Sequence, residues 1–234
     1  MLRCSHILCK VDDIHSTVLD YRELGFSLQW GSIPERAHNA LLWFEQGPFV
    51  EFFELPRAFR LLKWPATLGY GAAAGERLAR WAGPGEGWRD LALETDDTAL
   101  AGVRTTLKSG GVKTSRVMRG RRTPPDGVPV RYQFLTVRPS GLPFVVSAYD
   151  PPQRPADVRH PNGAQHIATV RMGVSEKDRT AFEALIAHVE PRGPLAVQEA
   201  PATGVLSVEV AGLSRPLDEA KLHGAVLRAP AGEE

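Results

Sequence analysis

The chain alternates short extended segments with amphipathic helical segments, and the same order of segments recurs three times. Each copy opens with an apolar strand, near residues 5, 89 and 165. An amphipathic helix follows: in the first copy Ile14, Val18, Tyr21 and Leu24 recur at steps of three to four residues, the period of a helix. Three further extended segments complete each copy. The pattern predicts three strand–helix–three-strand (βαβββ) modules and an α+β fold.

The three strands after each helix are separated by short turns rich in Gly, Pro and Asp, which favour largely antiparallel pairing. We expect these strands at residues 26–30, 39–44 and 49–55 in the first copy, 113–117, 130–137 and 143–149 in the second, and 195–200, 205–211 and 222–228 in the third. The arginines at positions 116, 119, 121 and 122 are expected in a solvated loop, where they could also attract an anionic ligand.

Two segments lie outside the modules and divide the chain. Residues 56–87 have a partly helical pattern and are expected to cover a sheet edge or to close a cleft. Residues 151–162 contain four prolines and predict a stiff connector. We therefore expect paired modules at residues 1–150 (module one 1–55, linking helical segment 56–87, module two 88–150), a connector at 151–162, and a third module at 163–234 that could fold as a satellite.

Composition narrows the class of protein. With 234 residues, 43% of them hydrophobic, the chain can bury a core without disulfides or structural metal. A net charge of +1 gives no reason to expect nucleic acid or an anionic membrane as a partner. No apolar run approaches the ~20 residues of a membrane helix, and the first residues lack a signal-peptide pattern. We therefore expect a cytoplasmic protein with free thiols at Cys4 and Cys9.

Short motifs at matching places in the modules carry a resemblance to a known family. They are Ser5-His6-Ile7, Gly25-Phe26, His38-Asn39-Ala40-Leu41, Val50-Glu51-Phe52-Phe53, Arg122-Thr-Pro-Pro-Asp-Gly127, Leu142-Pro143-Phe144 and His160-Pro-Asn-Gly163. With these motifs the chain resembles the vicinal oxygen chelate superfamily, which includes glyoxalase I, extradiol dioxygenases and bleomycin-resistance proteins, and within it the glyoxalase-like domain family. The resemblance implies that two modules pair into a curved mixed sheet around a cleft, with the third module at the C-terminus.

The resemblance also implies a divalent metal in the cleft, held by residues of the first and fourth strands of each module. His6 and Glu51 match these places in module one, and Asp90 matches the first-strand place in module two. Val145 or Ser147 stands where the superfamily has an acid. The candidate ligands of a zinc, nickel, manganese or iron ion are therefore His6, Glu51 and Asp90.

Strand alternation gives a second argument for His6. It places Cys4, His6 and Leu8 on one face of the first strand and leaves the apolar face to Ile7, Cys9 and Val11. Cys4 and Cys9 then point to opposite faces and cannot form a disulfide.

A different pairing of modules stays open at this point. His166 in the third module matches His6, and Glu209 follows it at a spacing close to that between His6 and Glu51. If modules one and three paired, two His and two Glu would converge on one site.

The leading hypothesis is a glyoxalase-like protein that binds a small organic molecule in an inter-module cleft, with metal-assisted lyase, isomerase or oxygenase chemistry. The alternative is a metal-free binding or resistance protein that sequesters its ligand. Whether the chain is an enzyme, and whether it forms a homodimer, stay open. The candidate substrate-binding residues are Asn39, Trp43, Phe53, Trp88, Arg122, Tyr132 and Ser147.

Overall fold

The computed structural model describes residues 1–191 and 193–230, and three β-sheets organise this part of the chain. Its strands are β1 (Arg3–Val11), β2 (Gln29–Trp30), β3 (Asn39–Leu42), β4 (Phe49–Glu54), β5 (Gly87–Glu94), β6 (Lys113–Thr114), β7 (Met118–Arg122), β8 (Val130–Leu135), β9 (Val137–Arg138), β10 (Phe144–Val146), β11 (His166–Val174), β12 (Leu195–Glu199), β13 (Gly204–Ala211) and β14 (Leu227–Arg228). Its α-helices are α1 (Ile14–Glu23), α2 (Lys63–Tyr70), α3 (Ala72–Trp81), α4 (Ala101–Ser109) and α5 (Arg179–Ile186).

Modules one and two pair through their first strands to form one large sheet. Its order is β2-β3-β4-β1-β5-β10-β8-β7, with β1 antiparallel to β5 and parallel to β4. The eight strands curl into a half-barrel with a concave cleft. The α+β class and the repeated modules are therefore confirmed, and the pairing of modules one and three is wrong.

Helix α1 shows how the sequence forms these modules. It begins at Ile14 because Oδ1 of Asp13 accepts hydrogen bonds from the backbone N–H groups of His15 and Ser16, at 2.8 and 3.0 Å. Tyr21, one of its apolar positions, is fully buried against the sheet. The helix therefore covers the outer face of module one and leaves the concave face open.

The third module stacks on the outer face of the large sheet. Its four strands form a second sheet of order β12-β11-β13-β14, and α5 follows β11 in the chain. Val208 and Val210 of β13 belong to the same continuous cluster of buried apolar side chains as Ile7 and Leu91 of the large sheet. This shared core favours folding of the third module together with the other two. The division of the chain into independent units stays a prediction.

The proline-rich connector is fastened to module one. The His160 ring bridges two backbone groups: Nδ1 accepts from the N–H of Ser27 at 3.0 Å, and Nε2 donates to the carbonyl of Trp43 at 2.9 Å. The Arg154 guanidinium lies 5.3 Å from the centre of the Trp43 ring, a cation–π contact. These contacts give the connector a fixed course over module one.

A β-bulge at Ser5 changes which side chains of β1 face the cleft. Cys4 pairs with Leu93 of β5, whereas His6 pairs with the next residue along, Ala92, so Ser5 is an extra residue. Cys4 therefore joins Cys9 in the main core, while His6 faces the concave side. The prediction that Cys4 shares a face with His6, opposite to Cys9, is wrong for this reason. Both thiols are free and buried, as expected.

The arginine-rich segment expected as a loop is partly a strand. Residues Met118–Arg122 form β7, which pairs with β8 at the edge of the large sheet. The pairing places Tyr132 opposite Gly120, where an added Cβ would lie 2.3 Å from the Tyr132 ring. Glycine is needed there because the tyrosine ring lies across the strand.

A membrane-crossing helix would have to be long and continuously apolar. None of the helices in residues 1–191 and 193–230 meets both conditions.

Candidate functional site

A cavity of about 180 Å³ lies in the concave face of the large sheet, between modules one and two. Strands β1, β3 and β4 line it from module one, and β7, β8 and β10 line it from module two. Its polar lining residues are His6, Asn39, Glu51, Arg122, Tyr132 and Tyr149. Its apolar walls are formed by Leu8, Leu41, Phe49, Trp81, Phe134, Phe144 and Val146.

The His6 ring is fixed on three sides. It stacks on Phe49 with ring centres 4.8 Å apart, and Phe144 meets it edge-on at 5.8 Å. On the third side Nδ1 lies 3.0 Å from Oγ of Ser5, and that hydroxyl donates to Oε2 of Glu94 at 2.7 Å. Since a serine hydroxyl has one hydrogen, Nδ1 of His6 must be the donor to Ser5. The network therefore leaves Nε2 of a neutral His6 as an acceptor.

Burial keeps His6 neutral. Desolvation lowers the pKa of His6 to about 3, and the positive charge of Arg122 adds to the effect. At neutral pH the Nε2 atom therefore presents a lone pair, and it lies 3.6 Å from Oε2 of Glu51. Two acceptor atoms thus face each other across the floor of the cavity.

Glu51 is held by Asn39. The Nδ2 atom of Asn39 donates to Oε1 of Glu51 at 2.8 Å, and Asn39 itself packs over Gly31, where an added Cβ would lie 1.9 Å from the amide oxygen. The Glu51 side chain is 23% exposed. Burial raises the pKa of Glu51, opposed by the Asn39 bond and the Arg122 charge. The Glu51 carboxyl group can therefore accept a hydrogen bond or a proton from a molecule in the cavity.

Two tyrosines from module two complete the polar lining. Burial raises the pKa of Tyr132 to about 12 and that of Tyr149 well above its usual value, and nearby Glu51 adds to both effects. Both therefore keep their hydroxyl hydrogens and can donate to a ligand. Beside them, Arg122 donates from Nη2 to Oε1 of Gln153 in the connector at 3.1 Å.

The third candidate metal ligand, Asp90, is committed to an ion pair and does not join His6 and Glu51. Nη1 of Arg77 lies 2.7 and 2.6 Å from its two oxygens, and both side chains are fully buried. Nε1 of Trp81 also donates to Asp90, at 2.6 Å. The structure therefore places Asp90 away from His6 and Glu51: both of its oxygens bind side chains of α3, which carries Arg77 and Trp81 and closes one end of the cleft.

The residues present do not fit a metal site with three protein ligands. Within residues 1–191 and 193–230, no group of three or more His, Cys, Asp or Glu side chains is placed to hold an ion. His6 and Glu51 offer two donors, whereas catalytic sites usually provide three. The Arg122 guanidinium adds a positive charge beside these two donors, which disfavours a second cation.

Trp88 and Ser147, two of the other candidates, lie away from the cavity. A second bulge, at Arg89, lets Trp88 pair with Cys9, so its ring packs against the main core rather than the cleft. Ser147 is fully buried, where its hydroxyl accepts from the N–H of Gln133 and donates to the carbonyl of Ala148, both at 2.8 Å.

Trp43 and Phe53 stand behind the cavity wall. Trp43 packs against Phe49, with ring centres 3.9 Å apart, on the side of the connector. Phe53 meets Trp81 at 6.4 Å, near the closed end of the cleft. Both therefore support lining residues instead of lining the cavity themselves.

Glu209 and His166, the two candidates from the third module, lie within that module, and Glu209 pairs with arginines there. Oε1 of Glu209 accepts from Nε of Arg171 at 2.8 Å, and Arg228 lies 3.6 Å away. His166 begins β11, in the smaller sheet. Neither residue reaches the cleft.

Comparisons with known proteins agree with this architecture. Residues 4–188 match the family model of the glyoxalase-like domain, whereas no curated protein matches the sequence. A hypothetical protein from Staphylococcus aureus is similar in structure over 98% of this chain and 100% of its own, with a TM-score of 0.65 at 15% identity. An Mn(II)-bound glyoxalase from Novosphingobium aromaticivorans covers 89% of this chain and 64% of its own, with a TM-score of 0.52 at 13% identity. A 2,3-dioxygenase from Pseudomonas sp. KL28 covers 89% and 74%, with a TM-score of 0.52 at 9% identity.

Proposed function

Because the chain belongs to the glyoxalase-like domain family of the vicinal oxygen chelate superfamily, we propose that its cleft binds a small organic molecule without a metal ion. The molecule is held by a hydrogen bond that it donates to His6 and Glu51. One observation carries the proposal: Nε2 of His6 and Oε2 of Glu51 are two acceptors 3.6 Å apart, and they open on an apolar cavity. A ligand hydroxyl or N–H group supplies the hydrogen that this pair lacks.

The size and walls of the cavity support a ligand of about one ring. A dry cavity of ~150 Å³ in an engineered protein accommodates benzene, and this cavity measures about 180 Å³. Phe49, Phe134 and Phe144 provide aromatic walls, and such mostly apolar sites with a few fixed polar groups are typical of small-molecule binding. The metal-assisted reading, which the Mn(II)-bound relative favours, would need a third ligand in place of Asp90.

The proposal predicts that binding depends on the donor group of the ligand and on Glu51. Phenol should raise the melting temperature of the protein. Anisole, which has the same ring but no O–H, should bind at least about tenfold more weakly than phenol. Glu51→Gln should weaken phenol binding by about tenfold, because a neutral amide oxygen is a poorer acceptor than a carboxylate. Calorimetric titration measures both affinities.

The thermal stability of the Glu51→Gln variant distinguishes a ligand-binding role of Glu51 from a structural role. Glu51→Gln should leave the melting temperature unchanged or raise it, because it removes a partly buried charge whose ionised form burial disfavours. The matched control is Glu54→Gln, which lies on the same strand outside the cavity and should not change phenol binding. If Glu51→Gln instead costs several kcal/mol of stability, as for a broken buried pair (~3–5 kcal/mol), then Glu51 is a structural partner of His6.

A further inference from the structure

The Arg122 side chain brings an uncompensated positive charge to the wall of the cavity. Its side-chain hydrogen bond goes to the neutral amide oxygen of Gln153, and no acidic side chain in residues 1–191 and 193–230 forms an ion pair with it. Glu51, the acid that shares the cavity, is bonded to Asn39 instead. Four of the five N–H donors of a guanidinium thus have no side-chain acceptor here.

The segment of chain that ends at Arg122 adds to this positive field. Residues 113–122 contain five Lys or Arg and no Asp or Glu, and Arg121 lies opposite Arg131 of β8. The charge of Arg122 reaches the interior, since it adds to the lowering of the His6 pKa by burial and opposes the raising of the Glu51, Tyr132 and Tyr149 pKa values by burial. Near Arg122 this positive field attracts a negatively charged group of a ligand.

We infer that the cleft selects small hydroxy acids with about one ring: the hydroxyl donates to His6 and Glu51, and Arg122 binds the carboxylate. The planar fork of a guanidinium matches the two oxygens of a carboxylate, and the Tyr132 and Tyr149 hydroxyls are further donors on the same side of the cavity. This inference rests on the proposed function, because it names the class of molecule that the same cleft binds.

Three planar probes that all keep a ring hydroxyl test the inference: 4-hydroxybenzoate, neutral 4-hydroxybenzamide and cationic 4-hydroxybenzamidine. Calorimetric titration of the full chain should show 4-hydroxybenzoate binding at least tenfold more tightly than 4-hydroxybenzamide, with 4-hydroxybenzamidine weakest. Arg122→Gln should lower 4-hydroxybenzoate affinity by about 10- to 100-fold, the range of a charged hydrogen-bond pair, and lower 4-hydroxybenzamide affinity by a smaller factor. Arg122→Lys keeps the charge and loses the fork, so its affinity for 4-hydroxybenzoate should fall between those of the wild type and Arg122→Gln.

The matched control is Arg121→Gln, which replaces an exposed arginine next to Arg122 in the same strand and should change 4-hydroxybenzoate affinity less than threefold. Equal binding of 4-hydroxybenzoate and 4-hydroxybenzamide by the wild type would overturn the inference, as would unchanged 4-hydroxybenzoate affinity in both Arg122 variants. In either case phenol binding, and with it the proposed function, would still stand. If phenol and all three planar probes fail to bind, both proposals fall.

Discussion

Replacing Asp90 by alanine is expected to lower the free energy of unfolding by about 3–5 kcal/mol. The change would leave the Arg77 guanidinium without its counter-charge in a place where it is 0% exposed. It would also remove the acceptor of the Trp81 indole N–H, and an unsatisfied buried donor is costly. Denaturant unfolding followed by circular dichroism measures the loss.

Asp96→Ala is the matched control for this experiment. Asp96 also pairs with an arginine, Arg3, but its side chain is 85% exposed, and exposed pairs contribute ~0–1 kcal/mol. If Asp90→Ala proves as stable as Asp96→Ala, the ion pair with Arg77 does not hold α3 in place. Asp90 would then return as a candidate ligand of the cleft.

A chain that ends at Pro152 is expected to lose its fixed tertiary structure. It would uncover the outer face of the large sheet, where Ile7 and Leu91 share a core with Val208 and Val210 of the third module. Since large exposed apolar faces are unfavourable in water, we expect a molten product that binds hydrophobic dye and lacks a near-ultraviolet circular dichroism signal.

The full chain under identical conditions provides the reference. Cooperative unfolding of the shortened chain, with native near-ultraviolet dichroism and no dye binding, would contradict the shared core. It would show instead that residues 163–234 are the satellite that the proline-rich connector suggested.

The sequence predicted the modules well because their signals are local. The helical period of Ile14, Val18 and Tyr21 and the strand–turn patterns depend on near neighbours in the chain, and the structure follows them. The match of His6 and Glu51 to the first and fourth strands also places both on the cavity wall. Of the seven candidate substrate residues, the cavity is lined by Asn39, Arg122 and Tyr132.

The predictions that failed concern residues whose positions depend on contacts between distant parts of the chain. Two one-residue bulges, at Ser5 and at Arg89, turn Cys4 and Trp88 towards the core, and strict alternation of side chains does not predict bulges. Asp90 has its partner on α3, in a segment that carries no module pattern. Tyr149 reaches the cavity beyond the end of β10, whereas alternation along the strand expected at 143–149 puts it on the face opposite to Phe144 and Val146.

Titration of the metal-stripped protein with phenol, with and without added Mn²⁺, tests the central claim most directly. The account predicts saturable one-to-one binding after treatment with a chelator and the same Kd in the presence of the ion, because His6 and Glu51 receive the ligand hydrogen directly. The contradicting result is phenol binding that appears only with Mn²⁺, or that strengthens as Mn²⁺ saturates the protein. The two acceptors 3.6 Å apart would then be metal ligands, and the metal-free cleft would be wrong.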